Sequence, residues 1–292
     1  MQLRGVLMLL GASFLWGTTF VAQMNGMEGL GPFSYAAPRY LLGFLSVLAF
    51  WYSQRKERNR LKRLGKYHSG FVAGLGSGIF MFVASSMQQV SMLYTTAGKA
   101  AFITCLYIVF VPLGAVLLGK IIRPENWAAA FTALVGLYLL AVNEEFSIRI
   151  GDVILFISAF FWTAQILFID RFASKVDVIE LSTAQLFVCF VLSTVVMTIF
   201  ESPTRGAVLD AWFPIFYGGV MSAGVAFTLQ IYGQKYAEPS TAAILMSFES
   251  IFGALSAWAL LGEVMSTREI FGCTLMLIGM IITQLKLSGV RR

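Results

Sequence analysis

The sequence predicts an all-α integral membrane protein: ten transmembrane helices arranged as two inverted five-helix repeats. Three observations predict it. Hydrophobic residues make up 58% of the 292-residue chain and charged residues 12%, about half the charged share of a soluble domain. Ten apolar runs come close to the roughly 20 residues that cross a hydrocarbon core about 30 Å thick. Segments of the first half recur in order in the second.

The runs separate at charged or Gly/Pro punctuation into spans at about 5–23, 33–52, 69–93, 97–118, 125–142, 151–170, 178–200, 212–234, 240–261 and 268–286. Each reads as a helix, because lipid-exposed backbone must satisfy its own hydrogen bonds. Pro32, Pro124 and Pro239 stand at span starts, where a missing N–H costs nothing. Pro112 lies inside the fourth span and predicts a kink there. The first run, from about Gly5, is long enough to span and has no clear cleavage site, so it reads as a first helix rather than a signal peptide. No stretch is long enough for a separate soluble domain. The halves are taken as 1–145 and 146–292.

Orientation follows from Lys and Arg counts. With the N-terminus inside, 16 of the 21 basic residues fall in inner segments, seven of them between Arg55 and Lys66. The outer segments hold Lys99, Arg149, Arg205 and Arg268, and Arg39 lies within a span. Both termini are therefore expected in the cytoplasm, and short loops fit a bacterial inner membrane. The net charge of +6 is mainly this topology signal. The basic 55–66 segment reads as an inner loop, not a nucleic-acid face.

A shift of 146 positions lays Gly5 on Gly151, Trp16 on Trp162 and Arg39 on Gln185. A shift of 142 lays Gln88 on Gln230, Tyr94 on Tyr236, Ala100-Ala101 on Ala242-Ala243 and Phe110 on Phe252. A shift of 143 lays Gly119 on Gly262 and Gly136 on Gly279. Five helices is an odd number, so the second copy enters from the opposite side. The charges agree: the basic 55–66 segment corresponds to 201–210, which carries Glu201, Arg205 and Asp210. Inverted repeats are an architecture of secondary transporters with alternating access.

Other classes find little support. One histidine, His68, removes most metal sites and His-based catalysis, and no HExxH, GxSxG or P-loop motif occurs. No filter-like loop or ring of like charge suggests a channel. Cys105, Cys189 and Cys273 lie far apart in apolar runs and read as space fillers. No cofactor and no metal are expected. The partners expected are a small-molecule substrate, the lipid bilayer and a coupling proton. A channel or facilitative pore and a membrane-embedded enzyme remain the competing functions.

Several segments carry a family resemblance: Ala12-Ser13-Phe14-Leu15-Trp16-Gly17, the run Tyr94 to Phe102, Pro239-Ser240-Thr241-Ala242-Ala243, Ser247 to Phe252, and Leu260-Leu261-Gly262-Glu263. Together they resemble the EamA-like branch of the drug/metabolite transporter superfamily, over almost the whole chain and in two copies. The chain departs from the pattern at Tyr107, where the family often has a small residue or proline, and at Lys120, where Glu is common. The resemblance implies ten helices, a central cavity between the halves, and export of metabolites or drugs.

The candidate binding residues are Trp16, Gln88, Tyr107, Trp162, Gln165, Gln230 and Glu249. Glu249 is the sharpest, an ionisable group placed near the bilayer midplane. It reads as a proton-coupling group, a carboxyl that exchanges a proton as its surroundings change, or as an amine-binding carboxylate. The plain alternative is a structural carboxylate held by Ser247 or Ser250. Tyr107 is its repeat mate. Trp16 and Trp162 sit mid-span, away from the interfacial belts, and fit an amphipathic cavity or helix packing. The glutamines serve the cavity or interhelical hydrogen bonds. Arg39 and Lys99 can attract an anionic group or pair with Glu249, with snorkelling the alternative for Arg39. His68 reads as a solvated boundary residue. Gly74 and Gly78 read as packing residues. Mixed aromatic and amide groups suggest amino acids or similar amphipathic compounds as cargo.

Overall fold

The computed structural model describes residues 3–27, 29–65, 67–95, 97–141, 149–261 and 265–284. Thr96, Gly262, Glu263, Lys286, Arg291 and Arg292 lie outside the described residues, as do Lys66 and the side chain of Lys99. The chain is nearly all helix: α1 (Leu3–Gly26), α2 (Pro32–Arg63), α3 (Phe71–Ser91), α4 (Ala97–Thr104), α5 (Tyr107–Leu117), α6 (Pro124–Ala141), α7 (Ile150–Phe172), α8 (Val178–Phe200), α9 (Arg205–Asp210), α10 (Trp212–Tyr217), a π-helical stretch (Gly218–Ala226), α11 (Phe227–Gln234), α12 (Pro239–Met246), α13 (Glu249–Leu261) and α14 (Thr267–Gln284). Among the described residues, six helical runs are long and apolar enough to cross a membrane: Pro32–Arg63, Phe71–Ser91, Ala100–Leu117, Ile150–Phe172, Val178–Phe200 and Trp212–Gln234. Their outer faces carry exposed apolar side chains such as Val72, Leu117, Ile157 and Phe200, a coat suited to lipid rather than water.

The elements depart from the expected spans in four places. The basic segment is mostly helix, not loop, because α2 runs on to Arg63. There Arg58 pairs with Asp177 and Lys62 with Glu180. A short helix, α9, interrupts the 201–210 segment. The break in the fourth span lies at Cys105-Leu106, ahead of Pro112, which sits inside a continuous α5. Ile108 N–H and Val109 N–H reach back only three residues, to the Cys105 and Leu106 carbonyls, each at 2.9 Å. The helix restarts at Tyr107, and Pro112 is its sixth residue, so the ladder bond it forgoes is the one to the Ile108 carbonyl.

The ninth span breaks in the same way. Phe248 N–H reaches the Leu245 carbonyl at 3.4 Å and Ser250 N–H the Ser247 carbonyl at 3.1 Å. Ala97 and Pro239 start the paired short helices, and Tyr107 and Glu249 start their continuations. Each pair is 142 positions apart, the shift that aligns Gln88 with Gln230.

Contacts knit the halves together rather than separating them. α6 packs on α14, α2 on α8, α1 on α13, and α3 on both α7 and α8. α2 and α8 run antiparallel. At the basic end lie the two ion pairs. At the far end the Glu201 carboxylate, just past α8, accepts from Phe33 N–H at 3.0 Å and Ser34 N–H at 2.6 Å, capping the start of α2. Small residues permit the close approaches. A Cβ on Gly74 would stand 2.6 Å from Ala184 Cβ, and one on Gly43 2.8 Å from Ala223 Cβ. The second approach brings α2 against the π-helical stretch. At the basic end, His68 is exposed and its backbone bridges Val176.

Candidate functional site

Between the halves lies about 660 Å³ of empty space, its mouth included. Side chains from α1, α2, α3, α7 and α11 line it, with the π-helical stretch and both helix breaks. It extends from the breaks toward the far end, where Gln23, Arg39 and Gln89 line it. Toward the basic end it stops at Ile166 and Gln230. Beyond them Ile169 and Ile231 are fully buried.

Glu249 owes its position to the broken ninth span. As the first residue of α13 it sits at a helix start, where exposed N–H groups favour a carboxylate. Its Oε1 lies 3.4 Å from Tyr107 Oη and 3.4 Å from Cys105 Sγ. Ser247 does not hold it: that hydroxyl donates to the Ile244 carbonyl at 2.8 Å. Ser250 Oγ lies against Cys105 Sγ at 3.5 Å. Cys105 therefore belongs to the site, where the sequence suggested only a space filler. Its signal was position: it is the repeat mate of Ser247, two residues before Tyr107.

Arg39 is 7% exposed and does not snorkel. Its Nε donates to the Gly218 carbonyl at 3.2 Å and its Nη2 to Ser222 Oγ at 3.0 Å. The π-helical stretch offers these acceptors, a common use of wide helical turns at functional sites. Among the described residues Arg39 forms no ion pair, so neither it nor Glu249 neutralises the other. Its repeat mate Gln185 is buried away from the cavity and accepts from Ser77 Oγ at 2.9 Å.

The aromatic wall has three layers. Phe227 lies between Trp16, centroids 5.0 Å apart, and Trp162, 6.1 Å away and nearly parallel at 11°. Trp162 Nε1 donates to Gln88 Oε1 at 3.0 Å. Trp16 Nε1 donates to the Ser222 carbonyl at 3.3 Å.

Of the residues chosen from sequence, Trp16, Gln88, Tyr107, Trp162, Gln230 and Glu249 line the cavity. Gln165 does not: it is fully buried and accepts from Gln230 Nε2 at 3.0 Å. Gln23, Gln89, Thr104, Ser222 and Phe227 line it unforeseen. The glutamines carried a signal, since a primary amide inside a span is unusual. Phe227 carried none among 26 phenylalanines.

The model of the EamA-like transporter family matches residues 3–142 and again 149–285. The chain belongs to the EamA-like transporter family. It therefore joins the drug/metabolite transporters as a membrane protein of two-repeat architecture. An uncharacterized transporter of Archaeoglobus fulgidus is 29% identical over 94% of this chain and 83% of its own length. The uncharacterized transporter YoaV of Bacillus subtilis is 20% identical over 98% of this chain and 99% of its own. A protein of known crystal structure superposes with a TM-score of 0.78 at 19% identity, covering 97% of each chain, which shows the fold. The family and these relatives point to transport of a small molecule across a membrane rather than to enzymatic work.

Proposed function

We propose that this EamA-like chain is a ten-pass secondary transporter of inverted repeats that exports amino acids or similar amphipathic compounds by alternating access. The observation that carries this reading is the cavity itself: a guanidinium and a carboxylate without a mutual ion pair, set on aromatic walls and closed toward one end. Such a space suits a zwitterion with an apolar side chain. The substrate carboxylate would meet Arg39 in a charge-assisted, fork-like contact. Its ammonium would meet Glu249, and its side chain the Trp16–Phe227–Trp162 layers. Displacement of the substrate ammonium by a proton on Glu249 would couple the two fluxes.

Four further runs complete the ten passes: α1, α6, α14, and α12 with α13. α1 has 24 residues and α6 and α14 have 18 each, about 27–36 Å at about 1.5 Å per residue. The antiparallel course of α2 and α8 and the matched helix breaks support inversion of repeats 1–145 and 146–292. The gap between the two family matches falls at the same boundary. The basic end is assigned to the cytoplasm of a bacterial inner membrane, with both termini there. The direction, export, follows the family resemblance. A continuous pore fits less well, because buried side chains close the basic end.

The test is purified protein in liposomes with a panel of labelled amino acids and amphipathic amines. Accumulation against a gradient, driven by a pH difference, is the expected result. Passive leak alone would establish a pore, and chemical conversion of a panel compound an enzyme.

A further inference from the structure

We propose that the two cavity tryptophans are alternating latches: Trp162 holds Gln88 in this conformation, and Trp16 takes Gln230 when the cavity opens to the basic end. The proposal rests on the alternating-access reading and adds to it the pair of bonds that exchange. Trp16 and Trp162 are repeat mates, and so are Gln88 and Gln230. The helices that carry them face each other in mirrored fashion, α7 against α3 and α1 against α11.

One pair is joined and the other is not. Trp162 Nε1 donates to Gln88 Oε1 at 3.0 Å. Trp16 Nε1 is instead spent on the Ser222 carbonyl, at a longer 3.3 Å. Gln230 is 2% exposed, yet its Oε1 has no partner. Its Nε2 is engaged with Gln165. A buried acceptor left empty is costly and calls for an explanation, and the missing donor is the one that the other repeat supplies.

The reach is short. Trp16 packs against Phe227 with its ring tilted by 57°, and Phe227 lies three residues before Gln230 and five after Ser222 on one continuous helical run. A side chain at 230 leans back toward the start of its helix, toward Phe227 and the indole. A shift of α1 along α11 with a new indole rotamer would take its N–H from Ser222 to Gln230. Indole has a single N–H and accepts nothing, so it serves one partner at a time. In inverted repeats the second state exchanges the roles of the halves. The Trp16–Gln230 bond then forms as Trp162–Gln88 opens.

Hydrogen–deuterium exchange of the full-length protein in lipid nanodiscs tests this, comparing far-end segments 29–36 and 201–211 with basic-end segments 67–74 and 171–181. Trp162→Phe keeps a ring and removes the donor. It is expected to raise exchange at the basic end and lower it at the far end, changing their ratio about fivefold, the worth of one net hydrogen bond. Trp16→Phe is expected to move the ratio the other way by less, since it also removes the longer Ser222 bond of this conformation. Gln88→Leu and Gln230→Leu should reproduce their partners' effects, which covers a tryptophan variant that fails to fold. Gln230→Leu on top of Trp16→Phe should add nothing, although the two residues share no hydrogen bond in this conformation. Uphill transport with both tryptophan variants shifting the ends alike, or not at all, would overturn the latch and leave the transporter reading standing. Opposite shifts would support the latch whatever compound is carried. Ends that never move in opposite senses in any variant, together with no uphill transport, would sink both ideas.

Discussion

Tyr107 and Glu249 meet across the repeat boundary, Tyr107 Oη 3.4 Å from Glu249 Oε1, each the first residue of a helix that restarts mid-span. Repeat mates in sequence thus become neighbours in space. The duplication has diverged at the point of contact, with a donor on one copy and a carboxylate on the other. Among the described residues the cavity lining therefore has one acidic group rather than two, which avoids like-charge repulsion in a low-dielectric setting.

Replacing Glu249 with Gln keeps shape and hydrogen-bonding capacity and removes the charge. Coupled uptake into liposomes should fall at least about tenfold, and the remaining rate should lose its dependence on the pH gradient. The thermal transition should stay within a few degrees of the parent. A rate and pH response equal to the parent's would remove Glu249 from the mechanism.

Arg39 should set the preference for carboxylate-bearing compounds. Arg39→Met should weaken apparent affinity for an amino acid by about 10- to 100-fold, the worth of a charge-assisted hydrogen bond. Arg39→Lys should recover only part of it, because an ammonium cannot form the planar fork. Competition by amino acids against their decarboxylated amines measures this. Equal loss for both classes would assign Arg39 to packing alone.

Asp177 does two jobs. Its Oδ1 accepts from Ile179 N–H at 3.0 Å and Glu180 N–H at 3.1 Å, capping α8, and it pairs with Arg58. Asp177→Ala should cost about 2 kcal/mol by losing both. Asp177→Asn, which keeps an acceptor for the cap, should cost about half as much. Denaturant titration in mixed micelles compares them, and equal losses would show that the cap contributes nothing.

Gly74 is packed where Gly206 is open. A Cβ at 74 meets Ala184, while one at 206 meets nothing within 4 Å. Gly74→Leu should destabilise by about 1–3 kcal/mol through overpacking. Gly206→Ala, on α9, should be neutral or stabilising by up to about 1 kcal/mol. Melting temperatures of the two variants should therefore move in opposite directions or differ by several degrees.

Orientation is open to a direct check. A cysteine at Arg63, exposed at the end of α2, should resist a membrane-impermeant thiol reagent in intact cells and react after lysis. One at Arg205, exposed at the start of α9, should react without lysis. The reverse pattern would invert the assignment.

The membrane setting and the two halves were legible because hydropathy and repetition are properties of the string. Trp16, Trp162 and Glu249 stood out for the same reason: each is unusual at mid-span whatever surrounds it. The helix breaks were not legible. The stretch from Ala101 to Leu117 is apolar throughout apart from Thr104 and the hydroxyl of Tyr107, and its one proline lies past the actual turn. Nor could spacing separate Gln165, buried off the cavity, from Gln89, on its wall, since both are amides in apolar runs.

What the residue order determined by itself is a greasy, doubled chain with a few polar groups too costly to leave in lipid. What tertiary structure decided is which of those groups face the void and which face each other. Arg39 found its acceptors about 180 positions away, on a π-helical stretch, and Cys105 was drawn to Glu249 by a break that hydropathy does not register. The reason is physical. Burial of apolar surface adds up residue by residue and can be read along a line, whereas a buried polar group is satisfied only by the neighbours that packing brings to it.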